Sequence, residues 1–233
     1  MLREILIGRN PSSFHVNPIV KVFIVSETMI WGAMNFILPI FALFVTTIPG
    51  GNVEIAATVY SVYMLVRVIF ELLSGRIFAH ISDDKKLFVT ILGMGIMSIA
   101  YLGFAITSSL IFLYFFYGLL GLGIGVISPV KNSLFSTHLD KNSEATEWGI
   151  LDAMVFFAIA VASAVGGIIA QSFGFQVLFV LAAAINILGI IPYLFYFQRN
   201  GYHEANTPFL LRLFFKVFKP HIPEEQSRPE RKI

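Results

Sequence analysis

Hydrophobic positions in this chain gather into six long runs: Ile19 to Thr46, Ile55 to Gly75, Leu87 to Ile106, Leu110 to Val130, Trp148 to Ala170, and Val177 to Phe197. Each run reaches the roughly 20 residues that cross a bilayer core as a helix. None shows the polar and apolar alternation over about 10 residues that marks a barrel strand. The pattern predicts an all-α integral membrane protein with six transmembrane helices. Residues 1–18 form a cytoplasmic N-terminal segment, 19–197 the bundle and 198–233 a cytoplasmic tail. Within the tail, residues 208–219 place Arg212, Lys216 and Lys219 on one helical face with Phe and Leu around the rest. Such a helix lies in the membrane interface, drawn to anionic headgroups. After Pro220 the chain is polar and Pro-rich, the composition of a disordered tail.

Composition sharpens the membrane reading. Only 13% of the residues are charged, against the roughly 25% that keeps a soluble surface wet. There is no cysteine, so disulfides and thiolate metal sites are excluded. The N-terminal segment is broken by Gly8, Pro11 and Pro18 and has no secretory cleavage pattern, so it reads as mature chain. Basic residues fix an orientation. The connections Thr47 to Glu54, Thr107 to Ser109 and Gln171 to Gln176 hold no Lys or Arg. The opposite side holds Arg3, Arg9, Lys21, Arg76, Lys85, Lys86, Lys131, Lys141 and the basic residues after Phe197. The positive-inside rule makes that side cytoplasmic, with both termini inside and a plasma membrane as the expected location.

Charges within spans cost about 2.5–3.5 kcal/mol each on insertion scales, so those present need a reason. Glu27 stands in helix 1, Arg67 and Glu71 in helix 2, and Asp152 early in helix 5. Arg67 and Glu71 are spaced i,i+4 and can pair on one face, which Tyr60 and Tyr63 extend. Glu27, Trp31 and Asn35 form one stripe, at a depth where Glu27 meets Arg67 if helices 1 and 2 pack together. Two readings stand: a water-accessible cavity that binds substrate or relays a proton, and a charge network that locks the cytoplasmic ends. The cavity reading suits Glu27, Trp31 and Asn35, with Tyr63 and Arg67 as further substrate contacts. The lock suits Arg67 with Glu71, and Asp152 lies near enough to the interface to be hydrated. Asn186 in helix 6 reads as a hydrogen bond between helices.

A shift of 91 residues aligns Gly75-Arg-Ile-Phe-Ala79 with Gly166-Gly-Ile-Ile-Ala170, and Leu87-Phe-Val89 with Leu178-Phe-Val180. Helices 2 and 5 run in opposite directions, so the halves read as two inverted three-helix repeats, a feature of secondary transporters. Helix 4 carries Gly118, Gly121, Gly123 and Gly125, with Pro129 near its inner end. Close approach of helix backbones explains these glycines, since no strand precedes them as a dinucleotide site requires. No His lies within a run, and no Asp-rich cluster is present. The sequence therefore predicts no enzyme, no cofactor, no metal and no nucleic-acid partner.

Three stretches resemble the major facilitator superfamily. The loop Gly75-Arg-Ile-Phe-Ala-His-Ile-Ser-Asp83-Asp-Lys-Lys-Leu87 is similar to the family's loop between helices 2 and 3, with Ala79 replacing its acid and Asp83 a basic residue. Gly118 to Pro129 resembles its glycine-rich helix 4, with Tyr117 where an arginine is common. Gly166 to Phe179 is similar to its turn between helices 5 and 6. The resemblance is to the six-helix N-terminal half. It implies a half-size secondary transporter of an unidentified small solute, working by rocking of two bundles about a midplane site. A parallel homodimer or a related half-transporter would supply the second bundle. It also implies structural or gating roles for Glu71, Gly75, Arg76, Asp83, Asp152, Gly121, Gly125 and Pro129. A non-transporting membrane scaffold or interaction partner that keeps the bundle is the alternative.

Overall fold

The computed structural model describes residues 17–200, and six helical spans cross it. They are span 1 (Pro18–Thr46), span 2 (Val53–Ile77), span 3 (Asp83–Ile106), span 4 (Leu110–Thr137), span 5 (Glu144–Phe173) and span 6 (Phe175–Tyr196). No strand occurs among the described residues. The N-terminal segment before Asn17 and the amphipathic helix expected at 208–219 lie outside them.

Local chemistry sets several ends. Asn17 accepts the Ile19 amide at 3.1 Å with Pro18 in the first turn, and Asn52 accepts the Ile55 amide at 2.8 Å. Both are side-chain caps for otherwise orphaned N–H groups. Span 1 breaks after Asn35 into a 3₁₀ turn, Leu38–Ile40, and a short helix, Phe41–Thr46. Pro39 causes the break, because it has no N–H to donate and its ring crowds the preceding turn. Spans 5 and 6 are separated by Gly174 alone, at φ +85°, a backbone conformation that glycine adopts without steric cost.

Two sequence expectations are corrected. Gln171 to Gln176, read as a loop, is helical on both sides of Gly174. Span 4 does not end near Pro129 but runs through it to Thr137, which carries Lys131 into the bundle instead of a loop. Just before the proline, span 4 is tied to its neighbour: Ser74 of span 2 donates its hydroxyl to the Val126 carbonyl at 2.6 Å.

Span 2 packs along span 4 as span 5 packs along span 1. Span 3 packs on span 4 as span 6 packs on span 1, and spans 3 and 6 pack on each other. Exchanging spans 1, 2 and 3 for 4, 5 and 6 leaves this pattern unchanged, as two inverted three-helix repeats require. Spans 2, 4, 1 and 5 thus form a row with spans 3 and 6 behind it. Most of the packing of spans 1–3 is against spans 4–6, and spans 1 and 2 meet through the short helix Phe41–Thr46.

Glycine makes the closest seams possible. A Cβ on Gly121 would stand 2.5 Å from the Tyr63 carbonyl oxygen, and one on Gly125 2.7 Å from that of Arg67. On the other side of span 4, a Cβ on Gly123 would meet the Met97 side chain at 2.7 Å. A Cβ on Gly166 of span 5 would likewise collide with the Phe36 carbonyl of span 1. Spans 3 and 6 are joined by Asn186, whose amide donates to the Met94 carbonyl and the Ser98 hydroxyl, both at 2.8 Å.

The two ends of the bundle differ. Away from the basic connections the interior is filled by rings: Phe41 on Tyr117 at 4.3 Å, Phe44 on Phe179 at 4.6 Å, and Phe104 on Tyr117 at 5.0 Å. Toward the basic end the row of spans 2, 4, 1 and 5 opens into a polar cleft.

Candidate functional site

The four spans of the row each turn one helical face into this cleft, whose volume is about 350 Å³. Span 1 gives Glu27 and Trp31, and span 2 gives Arg67 and Glu71. Span 4 gives Ser128, Lys131 and Asn132, and span 5 gives Trp148, Asp152, Phe156 and its apolar neighbours. Spacings of three and four residues put each set on one side of its helix. At about 1.5 Å per residue, Glu27 sits roughly 14 Å above the start of span 1, well inside the apolar layer.

Glu27 is held from two sides. Lys131 donates to both carboxylate oxygens from span 4, and Trp31 donates its indole N–H to Oε2 at 3.0 Å. Both ionic partners are buried, with side chains 5% and 3% exposed. Lys131 also lies 5.9 Å from the centre of the Phe23 ring. A carboxylate so deeply buried needs such a countercharge, because an uncompensated ion there is costly. Phe23 stacks on Phe135 at 4.6 Å, and Phe135 meets Trp148 edge-on at 4.7 Å. This aromatic wall links spans 1, 4 and 5 beside the ion pair.

The second pair stays on span 2. Arg67 Nε donates to Glu71 Oε2 at 3.2 Å, and Arg67 Nη1 reaches the Tyr63 hydroxyl at 3.5 Å. Asp152, on span 5, makes no ion pair or hydrogen bond among the described residues. Among the described residues the cleft therefore holds three carboxylates against two cations, and both cations are already paired.

Glu27, Trp31 and Arg67 line the cleft, as do Glu71 and Asp152. Asn35 and Tyr63 do not reach it. Asn35 turns back to donate to the Trp31 carbonyl at 2.8 Å, and Tyr63 is fully buried behind Arg67. The expected meeting of Glu27 with Arg67 is corrected: the partner of Glu27 is Lys131, because span 1 packs chiefly on spans 5 and 6 and meets span 2 mainly through Phe41–Thr46. Reading Pro129 as a helix end hid Lys131. Its signal was the i, i+3, i+4 spacing of Ser128, Lys131 and Asn132, which continues the helical register past the proline. Of the expected structural residues, Gly121 and Gly125 let spans 2 and 4 approach closely, and a Cβ on Gly75 would meet the Pro129 side chain at 3.7 Å. Asp83 pairs with Lys86 at 3.3 Å and lies 3.6 Å from His138 at the basic end, where Arg76 is exposed. No group of three metal-ligating side chains occurs among the described residues.

Residues 23–222 match the Major Facilitator Superfamily. Among solved structures, the fold is similar to that described as the in meso crystal structure of the POT family transporter PepTSo, with a TM-score of 0.69 at 18% identity. The similarity covers 81% of this chain but 39% of that one, so the match spans well under half the length of that transporter. No curated protein matches it. A family match over most of the chain, on six spans paired as inverted repeats, establishes that this protein belongs to the Major Facilitator Superfamily.

Proposed function

We propose that this bundle is one half of a transporter that moves a small solute across the membrane by alternating access, with a second copy of the chain or a related half supplying the other bundle. The observation that carries the reading is the cleft: four spans place ionic and aromatic side chains in the basic half of an otherwise apolar bundle. Its far end is closed by the aromatic core, so a solute entering from the basic side stops near the middle of the membrane. Glu27, Trp31 and Arg67 contact the solute in this reading, while Tyr63 and Asn35 position Arg67 and Trp31 from behind. Glu71, Gly75, Arg76, Asp83 and Asp152 belong to the gating elements at the basic end, which faces the cytoplasm. The cleft is open along the row of spans, and the flanking spans 2 and 5 are the least buried of the six. A second bundle set against that row would complete the wall, related to the first by an axis along the membrane normal.

The mass of the protein in nanodiscs, with lipid subtracted, tests the assembly. An assembly of two bundles is expected, and a strict single bundle overturns the homodimer. The alternative, a static scaffold, draws on the internal neutralisation of Arg67 and Lys131. Uptake into proteoliposomes separates the two. Trp31→Ala lowers uptake if the cleft carries solute, whereas a scaffold shows no uptake to lose.

A further inference from the structure

The charge balance of the cleft says what kind of solute it selects. Arg67 is bound by Glu71 on its own helix, and Lys131 is buried against Glu27 with both carboxylate oxygens engaged. An anionic solute would have to displace a carboxylate from one of these cations. The carboxylate of Asp152, in contrast, has no such partner among the described residues, and it shares a helical face with Trp148 and Phe156. Trp31 lines the cleft from span 1, so aromatic faces and one surplus negative charge border the same space. Aromatic faces attract cations through the ring quadrupole, most strongly where water is excluded.

Resting on the half-transporter reading, we propose that the cleft takes an organic cation with an apolar body, its positive group against Asp152 and its body between Trp31, Trp148 and Phe156. The volume of about 350 Å³ suits a small amine or quaternary ammonium ion. The solute supplies the positive charge that the five ionic side chains of the cleft lack.

The chain carries its own reporter, because its two tryptophans, Trp31 and Trp148, both line the cleft. The full chain in zwitterionic nanodiscs is titrated with benzyltrimethylammonium, with its uncharged isostere neopentylbenzene, and with benzoate, while tryptophan fluorescence is followed. The expected result is a saturable change with the quaternary ammonium ion alone. Asp152→Asn should weaken that response about tenfold or more, while Asp152→Glu, which keeps the charge, should retain most of it. Far-ultraviolet circular dichroism and a monodisperse elution profile confirm that both variants are folded. Saturation by benzoate or by the neutral isostere in place of the cation overturns the charge selection and leaves the cleft as a solute site. An affinity unchanged by Asp152→Asn overturns the role of Asp152. Silence with all three ligands overturns the cation site, while the half-transporter reading stands or falls separately on the nanodisc mass and on uptake.

Discussion

Replacing Lys131 by Met would leave the Glu27 carboxylate, 4% exposed, with only the Trp31 indole to answer it. Removing one member of a buried ion pair typically costs about 3–5 kcal/mol. Lys131→Met should therefore lower the thermal midpoint in detergent clearly, and Glu27→Gln combined with Lys131→Met should recover most of the loss. A double variant no more stable than the single would show that the pair is not an energetic unit. Five of the cleft residues were legible one by one, because Glu27, Trp31, Arg67, Glu71 and Asp152 stand out as ionic or amphipathic side chains within apolar runs. Lys131 was not, since a proline two residues earlier reads as a boundary in one dimension. Pairing across elements was also hidden: nothing in the stripe of span 1 tells whether its neighbour is span 2 or span 4.

Along the elements, glycine positions divide into those that touch another backbone and those that do not. Gly121→Ala would press a methyl group against the Tyr63 carbonyl and push spans 2 and 4 apart, at a cost of about 1–3 kcal/mol. Gly167, on span 5, has open space where its Cβ would stand, so Gly167→Ala should be neutral or stabilise by up to about 1 kcal/mol. Unfolding of the two variants side by side in the same detergent checks the contrast, and equal losses would refute the seam. Asn186→Leu removes both amide donations between spans 3 and 6 and should cost about 1 kcal/mol by the same measurement. The existence and count of the spans were legible because hydropathy reports the bilayer directly. Their ends were not: Gln171 and Gln176 are polar and read as a loop, yet the helices carry on through them.

At the scale of the whole molecule, the distribution of basic residues predicts which end faces the cytoplasm. The chain has no cysteine, so single cysteines can be placed freely. Ser82→Cys, at the basic end, should react with a membrane-impermeant maleimide only after the cells are opened. Ser108→Cys, in the connection without Lys or Arg, should react in intact cells. The reverse pattern would overturn the orientation and with it the side from which the cleft is entered.

The pairing of spans also bears on how the protein is made. Spans 1, 2 and 3 find most of their partners in spans 4, 5 and 6. During synthesis the first three therefore enter the lipid before the surfaces they need exist, and Glu27 does so before Lys131. Assembly must wait for the second half of the bundle, so an early fragment is a client for membrane chaperones and proteases. A fragment ending after span 3 should be degraded when produced alone, and rescued when spans 4 to 6 are produced beside it as a separate chain.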